Sequence, residues 1–130
     1  MLTDKDYCDY DTCVALKELG YPLTSKEVRY EDKAVFVPGV LLYSAQKWLR
    51  EEKEVYVTVI PEYNDYRPVK GVKYRLEVAH WKDDEFGYET IEWLDEECLP
   101  IITFDSYEEA LSEGIKEAVK ILKEDANTQR

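Results

Sequence analysis

The chain has 130 residues, of which 17 are basic and 29 are acidic, so its net charge is −12. The length suits a single domain, and the 11 Tyr, 3 Trp and 3 Phe exclude a disordered chain, because such chains are poor in aromatic side chains. The negative field repels phosphate backbones and anionic lipid surfaces, so we expect neither a nucleic acid nor a membrane as partner.

The first half of the sequence predicts a helix, a hairpin and a second helix. The first helix begins after Asp9 or Asp11, whose carboxylates can accept bonds from the free N–H groups of the first turn, and it ends at Gly20. Residues 27–37 alternate β-forming with charged side chains, which predicts a hairpin. Within residues 41–52 the apolar side chains recur at helical spacing and form one stripe, which predicts an amphipathic helix.

The second half predicts three antiparallel strands and a closing helix. The strands are expected at residues 54–60, 71–81 and 88–94, where hydrophobic and polar residues alternate between turn sequences. Ser106 and Glu109 form a capping box at the start of the last helix, in which each side chain accepts the backbone N–H of the other residue.

Together these elements predict one α+β domain. Helices pack on one face of a small antiparallel sheet, in the order helix, hairpin, helix, three-stranded meander, helix. The domain is expected to span residues 1–124, followed by a polar tail at 125–130. Gly114 lies on the apolar face of the last helix, and we expect it to let that helix approach the sheet closely.

Two helical motifs resemble a known family. AQKWLREEK at residues 45–53 and YEEALSEGIKEAVKIL at 107–122 are similar to the helices of a family of small uncharacterised proteins from gut bacteria and their phages. Those proteins pair a QKWLRE helix with a β-meander and close with a YEEAL helix. The resemblance implies the same fold and a mobile-element setting, and it supplies no catalytic residue.

Hydropathy along the sequence indicates the cellular compartment. No stretch approaches the ~18 apolar residues that a membrane span needs, and no signal-peptide pattern follows Met1. We therefore expect a cytoplasmic protein with reduced thiols.

From Leu41 onward the order of elements also resembles double-stranded-RNA-binding domains, but acidic side chains nearly cancel the lysines of the last helix, so RNA binding is not expected.

Candidates for catalysis or metal binding are few. His80 is the only imidazole, so any catalytic triad or Cys–His pair must use it. Cys8, Cys13 and Cys98 together with His80 have the ligand count of a closed zinc site, but their spacing is not typical of one. We therefore predict no bound metal, no cofactor and no catalytic residue.

Acidic turns and an aromatic loop tip are the candidate binding residues. They are Tyr63, Asp65, Tyr66, Asp83, Asp84, Glu85, Asp95, Glu96 and Glu97. Tyrosine offers a large contact area with little loss of side-chain entropy, which makes it common in binding surfaces. The alternative interpretation is that these are solvated turns and tyrosines folded back onto the sheet.

These observations predict a non-enzymatic acidic protein that engages a basic protein partner, with charge steering the association. Two alternatives stay open. One is a small enzyme or zinc protein that uses His80 with cysteines or carboxylates. The other is a structural subunit of a homo-oligomer, joined through free strand edges.

Overall fold

The computed structural model describes residues 2–24, 27–31, 35–63, 71–92 and 103–128. Its elements in chain order are a 3₁₀ turn Asp4–Asp6, α1 Tyr10–Glu18, β1 Val28–Glu31, β2 Val35–Pro38, α2 Leu42–Lys53, β3 Val55–Tyr63, β4 Val72–Asp83, β5 Gly87–Glu92 and α3 Tyr107–Thr128. Strands β1 and β2 pair as an antiparallel hairpin, and β3, β4 and β5 form an antiparallel sheet in that order. The predicted α+β class and the predicted order of elements are confirmed.

Local signals in the sequence explain where the first and last helices begin. Asp9 Oδ1 accepts the backbone N–H of Thr12 at 2.8 Å, which caps α1. Gly20, at φ 106°, takes the left-handed conformation just beyond the end of α1. At α3, the N–H of Glu109 donates to Ser106 Oγ at 3.1 Å, which is one half of the predicted capping box.

Helices α2 and α3 cover one face of the three-stranded sheet. The buried side chains they share with the sheet are Leu42, Ala45, Leu49, Ala110, Leu111, Ile115, Ala118, Val55, Val57, Val59, Leu76 and Val78. The predicted close approach at Gly114 is confirmed, because a Cβ there would lie 2.7 Å from Leu76 Cδ1 and closer still to Val57 Cγ1. The absence of a side chain at Gly114 therefore sets the spacing between α3 and the sheet.

Three elements extend at least two residues beyond their predicted ends. Strand β3 extends to Tyr63, so residues 61–63 belong to a strand where the sequence predicts a loop. Pro61 is tolerated because β3 lies at one edge of the described sheet, where a residue need not donate to a neighbour. Strand β4 runs to Asp83, which shortens the predicted acidic turn. Helix α3 continues to Thr128, past the predicted start of the tail.

The helices of the described ranges do not suit a bilayer. None of them combines the length and the apolar character that a membrane span requires.

Candidate binding surface

The two faces of the β3–β4–β5 sheet differ in chemistry. Side chains alternate between faces along a strand, and Val55, Val57 and Val59 of β3 are buried against the helices. The residues between them, Tyr56 and Thr58, lie on the opposite face and are exposed. We call the face covered by α2 and α3 the inner face and the opposite one the outer face.

Three aromatic rings meet on the outer face. Tyr56 of β3, Trp81 of β4 and Tyr88 of β5 are 37%, 43% and 54% exposed. The ring centroid of Tyr88 lies 6.0 Å from that of Tyr56 and 5.2 Å from that of Trp81, both in edge-to-face geometry. Aromatic pairs attract each other in this arrangement. We call these three residues the aromatic cluster.

The strand register explains why these rings converge. Trp81 and Tyr88 are direct cross-strand partners, while Tyr56 pairs with Ala79, the next residue of β4 on the outer face. Strands β3 and β5 flank β4 and therefore lie about 10 Å apart. To bring their ring centroids within 6.0 Å, Tyr56 and Tyr88 must lean towards each other over β4. The small side chain of Ala79 leaves room for them to do so.

The acidic β4–β5 turn lies directly beside the aromatic cluster. Asp83 Oδ1 accepts the backbone N–H groups of Glu85 at 3.0 Å and Phe86 at 2.7 Å, so this carboxylate stabilises the turn. Gly87, at φ 71°, supplies the left-handed conformation that the reversal needs. Asp84 and Glu85 are exposed, and Phe86 is 67% exposed.

Carboxylates outnumber cations around the aromatic cluster. In the described part of the sheet and its turn, the acidic residues near the cluster are Glu54, Asp83, Asp84 and Glu85. Glu89 lies on the inner face, opposite His80. Lys82 is the nearby cation of this turn; its Nζ lies 3.4 Å from Glu89 and 5.4 Å from the centroid of the Phe86 ring. The neighbouring Tyr56, followed by partial desolvation and the Glu54 carboxylate, raises the pKa of Tyr88. Tyr88 is therefore neutral at physiological pH, and the surrounding carboxylates give the cluster a negative local field.

The structure separates the residues that the sequence predicts as a binding site. Asp83, Asp84 and Glu85 lie beside the aromatic cluster. Tyr63 is 69% exposed but lies at the far end of β3. Tyr63 lies seven positions beyond Tyr56 along β3, which is about 23 Å at the usual rise of a strand. The remaining predicted residues lie outside the described ranges; they are Asp65, Tyr66, Asp95, Glu96 and Glu97.

Sequence reasoning missed the aromatic cluster itself, although one signal was present. The alternating valines of β3 assign Tyr56 to the face opposite the core. The same rule assigns Trp81 to the face opposite Val78. Which residue of β5 meets them depends on the register across the sheet, and that register has no signal in the sequence.

His80 lies on the inner face, two residues beyond Val78. Its Nδ1 is buried and has no hydrogen-bond partner among the residues that the structure describes. Its cross-strand partners are Val55 and Glu89. Catalysis by an imidazole needs a nucleophile or an orienting carboxylate within hydrogen-bond reach, and no described residue bonds to Nδ1.

Two of the three cysteines belong to the core. Cys8 and Cys13 are buried, and Cys13 Sγ lies 3.7 Å from the carbonyl oxygen of Cys8. A hydrogen bond with the Cys13 side chain, together with burial, raises the pKa of Cys8, so the Cys8 thiol stays protonated. Cys98 lies outside the described ranges. Within those ranges, no group of three or more His, Cys, Asp or Glu side chains has the geometry to hold a metal ion.

A cavity of about 470 Å³ lies between the 3₁₀ turn and α3. Its charged lining residues are Asp4, Lys5, Asp9, Glu108, Glu109, Glu113 and Lys116. Lys116 Nζ lies 3.2 Å from Asp9 Oδ2 and 3.3 Å from Glu113 Oε1, so its charge is paired within the protein. The cavity is a second acidic region, and it has no aromatic cluster comparable with that of the outer face.

In comparisons with known proteins, no family model, curated protein or solved structure matches the chain.

Proposed function

We propose that the chain is a non-enzymatic acidic binding protein that engages a basic protein partner through the outer face of its three-stranded sheet. The observation that supports this most strongly is the aromatic cluster. Tyr56, Trp81 and Tyr88 remain substantially exposed on a face that neither α2 nor α3 covers. Clusters of Trp and Tyr are typical of the central contacts of protein interfaces.

Charge favours a basic partner over a second copy of the chain. Two copies meeting through this face would bring two molecules of net charge −12 together, with the acidic turns of both near the contact. A partner with surface lysines and arginines would instead be attracted by the carboxylates around the cluster. Such an association is fast at low salt and weakens as salt rises.

Sequence features support the setting of this role. The resemblance of residues 45–53 and 107–122 to phage and gut-bacterial proteins supports a mobile-element origin. The free thiols of Cys8 and Cys13 support a cytoplasmic location, because thiols are kept reduced in that compartment. Both belong to the proposal.

Parallel affinity capture with matched variants tests the proposed function. Wild-type protein, Tyr88→Thr and Tyr63→Thr are used to capture proteins from a bacterial lysate, and bound proteins are eluted with increasing salt. Thr suits a strand, so each variant removes one exposed ring with little change to the sheet. We expect a basic protein that wild type and Tyr63→Thr retain and Tyr88→Thr does not.

The purified partner then decides the outcome. Its affinity should fall as salt rises from about 0.05 M to about 0.5 M, because screening weakens attraction between charges. A partner that binds wild type and Tyr88→Thr equally, or whose affinity does not depend on salt, would contradict the proposed function.

A further inference from the structure

The geometry points to the outward surface of the Tyr56, Trp81 and Tyr88 rings, beside Glu54, as an anchor site for one arginine side chain of the partner. This inference rests on the proposed function and specifies the chemistry of the partner's central contact. It depends on the packing of the rings, on the position of the nearest carboxylate, and on how other exposed rings of the chain are covered.

Other exposed or half-buried rings of this protein already attract cations. Lys82 Nζ lies 5.4 Å from the ring centroid of Phe86, and Lys53 Nζ lies 5.6 Å from that of Trp48. Both distances are within the range of a cation–π interaction. Among the described residues, no lysine or arginine takes such a position over the aromatic cluster. The cluster therefore offers uncovered ring faces in a negative field.

Ring packing selects the shape of the cation. Cages that bind methylated ammonium groups hold the cation between separate rings. Here Tyr88 contacts both Trp81 and Tyr56, at centroid distances of 5.2 and 6.0 Å, which leaves no slot between Tyr88 and either ring. A cation must therefore lie on the outward ring surfaces. A planar guanidinium stacks on such surfaces, whereas a lysine ammonium is a compact and strongly hydrated charge.

Glu54 supplies the matching carboxylate. It directly precedes β3, two positions before Tyr56, and the next residue, Val55, pairs with His80, which is adjacent to Trp81 in β4. Its charge also contributes to the raised pKa of Tyr88. Glu54 is also the non-glycine residue with positive φ in the described ranges, at φ 54° and ψ 35°. Glycine is favoured at this position after a helix, and a non-glycine residue there costs stability. A strained acidic residue beside uncovered rings agrees with a role in binding rather than in folding.

The test uses three small probes and the full-length chain. Acetyl-arginine methylamide is titrated into isotopically labelled protein, and the backbone signals of Ala79 and Thr90 and the indole signal of Trp81 are followed by NMR. Acetyl-lysine methylamide carries the same charge without the planar group. Acetyl-citrulline methylamide has the planar group without the charge.

We expect the arginine probe to shift these signals saturably, the lysine probe to bind about two- to fivefold more weakly, and the citrulline probe to leave them unchanged. Tyr88→Thr should weaken arginine binding about fivefold, because an exposed cation–π contact is worth that much. Tyr88→Phe should bind the arginine probe like wild type, because the ring face remains. Glu54→Gln should weaken it about twofold. Tyr63→Thr, the matched control, should leave it unchanged.

Three results would overturn the anchor site: equal shifts from the citrulline probe, equal binding of the lysine probe, or shifts confined to residues 83–85.

The experiments distinguish failure of the anchor site from failure of the proposed function. If a basic partner binds the outer face while the arginine probe does not shift the cluster, the anchor is wrong and the proposed function stands. If the probe binds as expected but no basic partner binds through this face, the proposed function is wrong and the arginine site stands.

Discussion

The inner and outer faces of one sheet are built from the same strands and yet have opposite properties. On the inner face, Val57 and Val78 are buried, and α3 approaches so closely that position 114 has no room for a Cβ. On the outer face, Trp81 and Tyr88 are about half exposed, with a second tyrosine beside them. Successive side chains of a strand point to opposite faces, so the position of a residue along its strand decides whether it is buried or exposed.

The difference indicates a division of labour. Burial of apolar side chains is the dominant favourable term in folding, so the inner face should determine stability. The exposed aromatic side chains bury only part of their surface within the chain, so they contribute less to folding than the core residues do. They gain most when a partner covers them, so the outer face should determine binding. Substitutions at Ile115, Gly114, Glu54 and Tyr88 test this division, and those at Asp9 test the cap of α1. They are ordered from the largest expected effect to the smallest.

The largest effect is expected from Ile115→Ala on α3. Ile115 is completely buried against the inner face. Its truncation leaves a cavity in addition to the lost burial, and should lower the free energy of unfolding by about 2–5 kcal/mol. Urea unfolding monitored by circular dichroism measures this. A loss below about 1 kcal/mol would mean that α3 does not pack against the sheet as described.

Gly114→Ala should cost about 1–3 kcal/mol, because the added methyl group overlaps Val57 and Leu76. The direction is informative, since alanine in place of glycine stabilises an unconstrained helix by about 1 kcal/mol. Adding Val57→Ala should recover part of the loss, so the double variant should be more stable than the sum of the two single effects predicts. Stabilisation by Gly114→Ala alone would contradict the close approach.

Asp9→Ala should cost about 1 kcal/mol by removing the cap of α1, and Asp9→Asn should retain most of the stability, because asparagine caps equally well. Partial burial opposes ionisation of this carboxylate, but its bonds with Thr12 and with Lys116 prevail and lower the pKa of Asp9 from its ordinary value of 3.8. Its contribution is therefore complete above that value and is lost as the pH falls through the lowered pKa. Unfolding measured from about pH 6 to about pH 2 should show less acid destabilisation in Asp9→Asn than in wild type.

Glu54→Gly should change stability and binding in opposite directions. Glycine adopts the left-handed conformation without a Cβ clash, so the variant should gain up to about 1 kcal/mol of stability. The same change removes the carboxylate beside the aromatic cluster and should weaken arginine binding about twofold. A gain in stability without a loss of binding would remove Glu54 from the anchor site.

Tyr88→Thr should change the free energy of unfolding by less than about 1 kcal/mol, since Tyr88 is 54% exposed and lies in β5, at one end of the order β3–β4–β5 of the described strands. Its expected effect is on binding. A loss of several kcal/mol would assign the aromatic cluster to the core and would contradict the division between the two faces.

Much of the inner face was predictable from the sequence, because its signals are local. Val72, Tyr74, Leu76 and Val78 alternate with polar residues, and this predicts a strand with one buried face. Gly114 on an apolar helix face predicted the close approach, since a side chain is missing on the face by which the helix packs against another element. Local propensity and periodicity are sufficient for such features.

The extent of β3 and the aromatic cluster were not predictable, because both depend on pairing between distant residues. Pro61 is typical of a loop, and its tolerance in a strand requires knowing that β3 lies at an edge. Tyr56 and Tyr88 are 32 positions apart in the numbering and meet only through the register across β4. Acidic runs such as residues 83–85 were visible in the sequence, but the rings beside them were not.

The most direct test of the account is the affinity of an arginine-containing basic peptide for wild type, Tyr88→Thr and Tyr63→Thr at low and at high salt, measured by isothermal titration calorimetry. The account predicts that Tyr63→Thr binds like wild type and that Tyr88→Thr binds about fivefold more weakly. Binding of all three proteins should weaken as salt rises. Equal affinity of wild type and Tyr88→Thr, or an effect of Tyr63→Thr as large as that of Tyr88→Thr, would contradict the outer face as the binding surface.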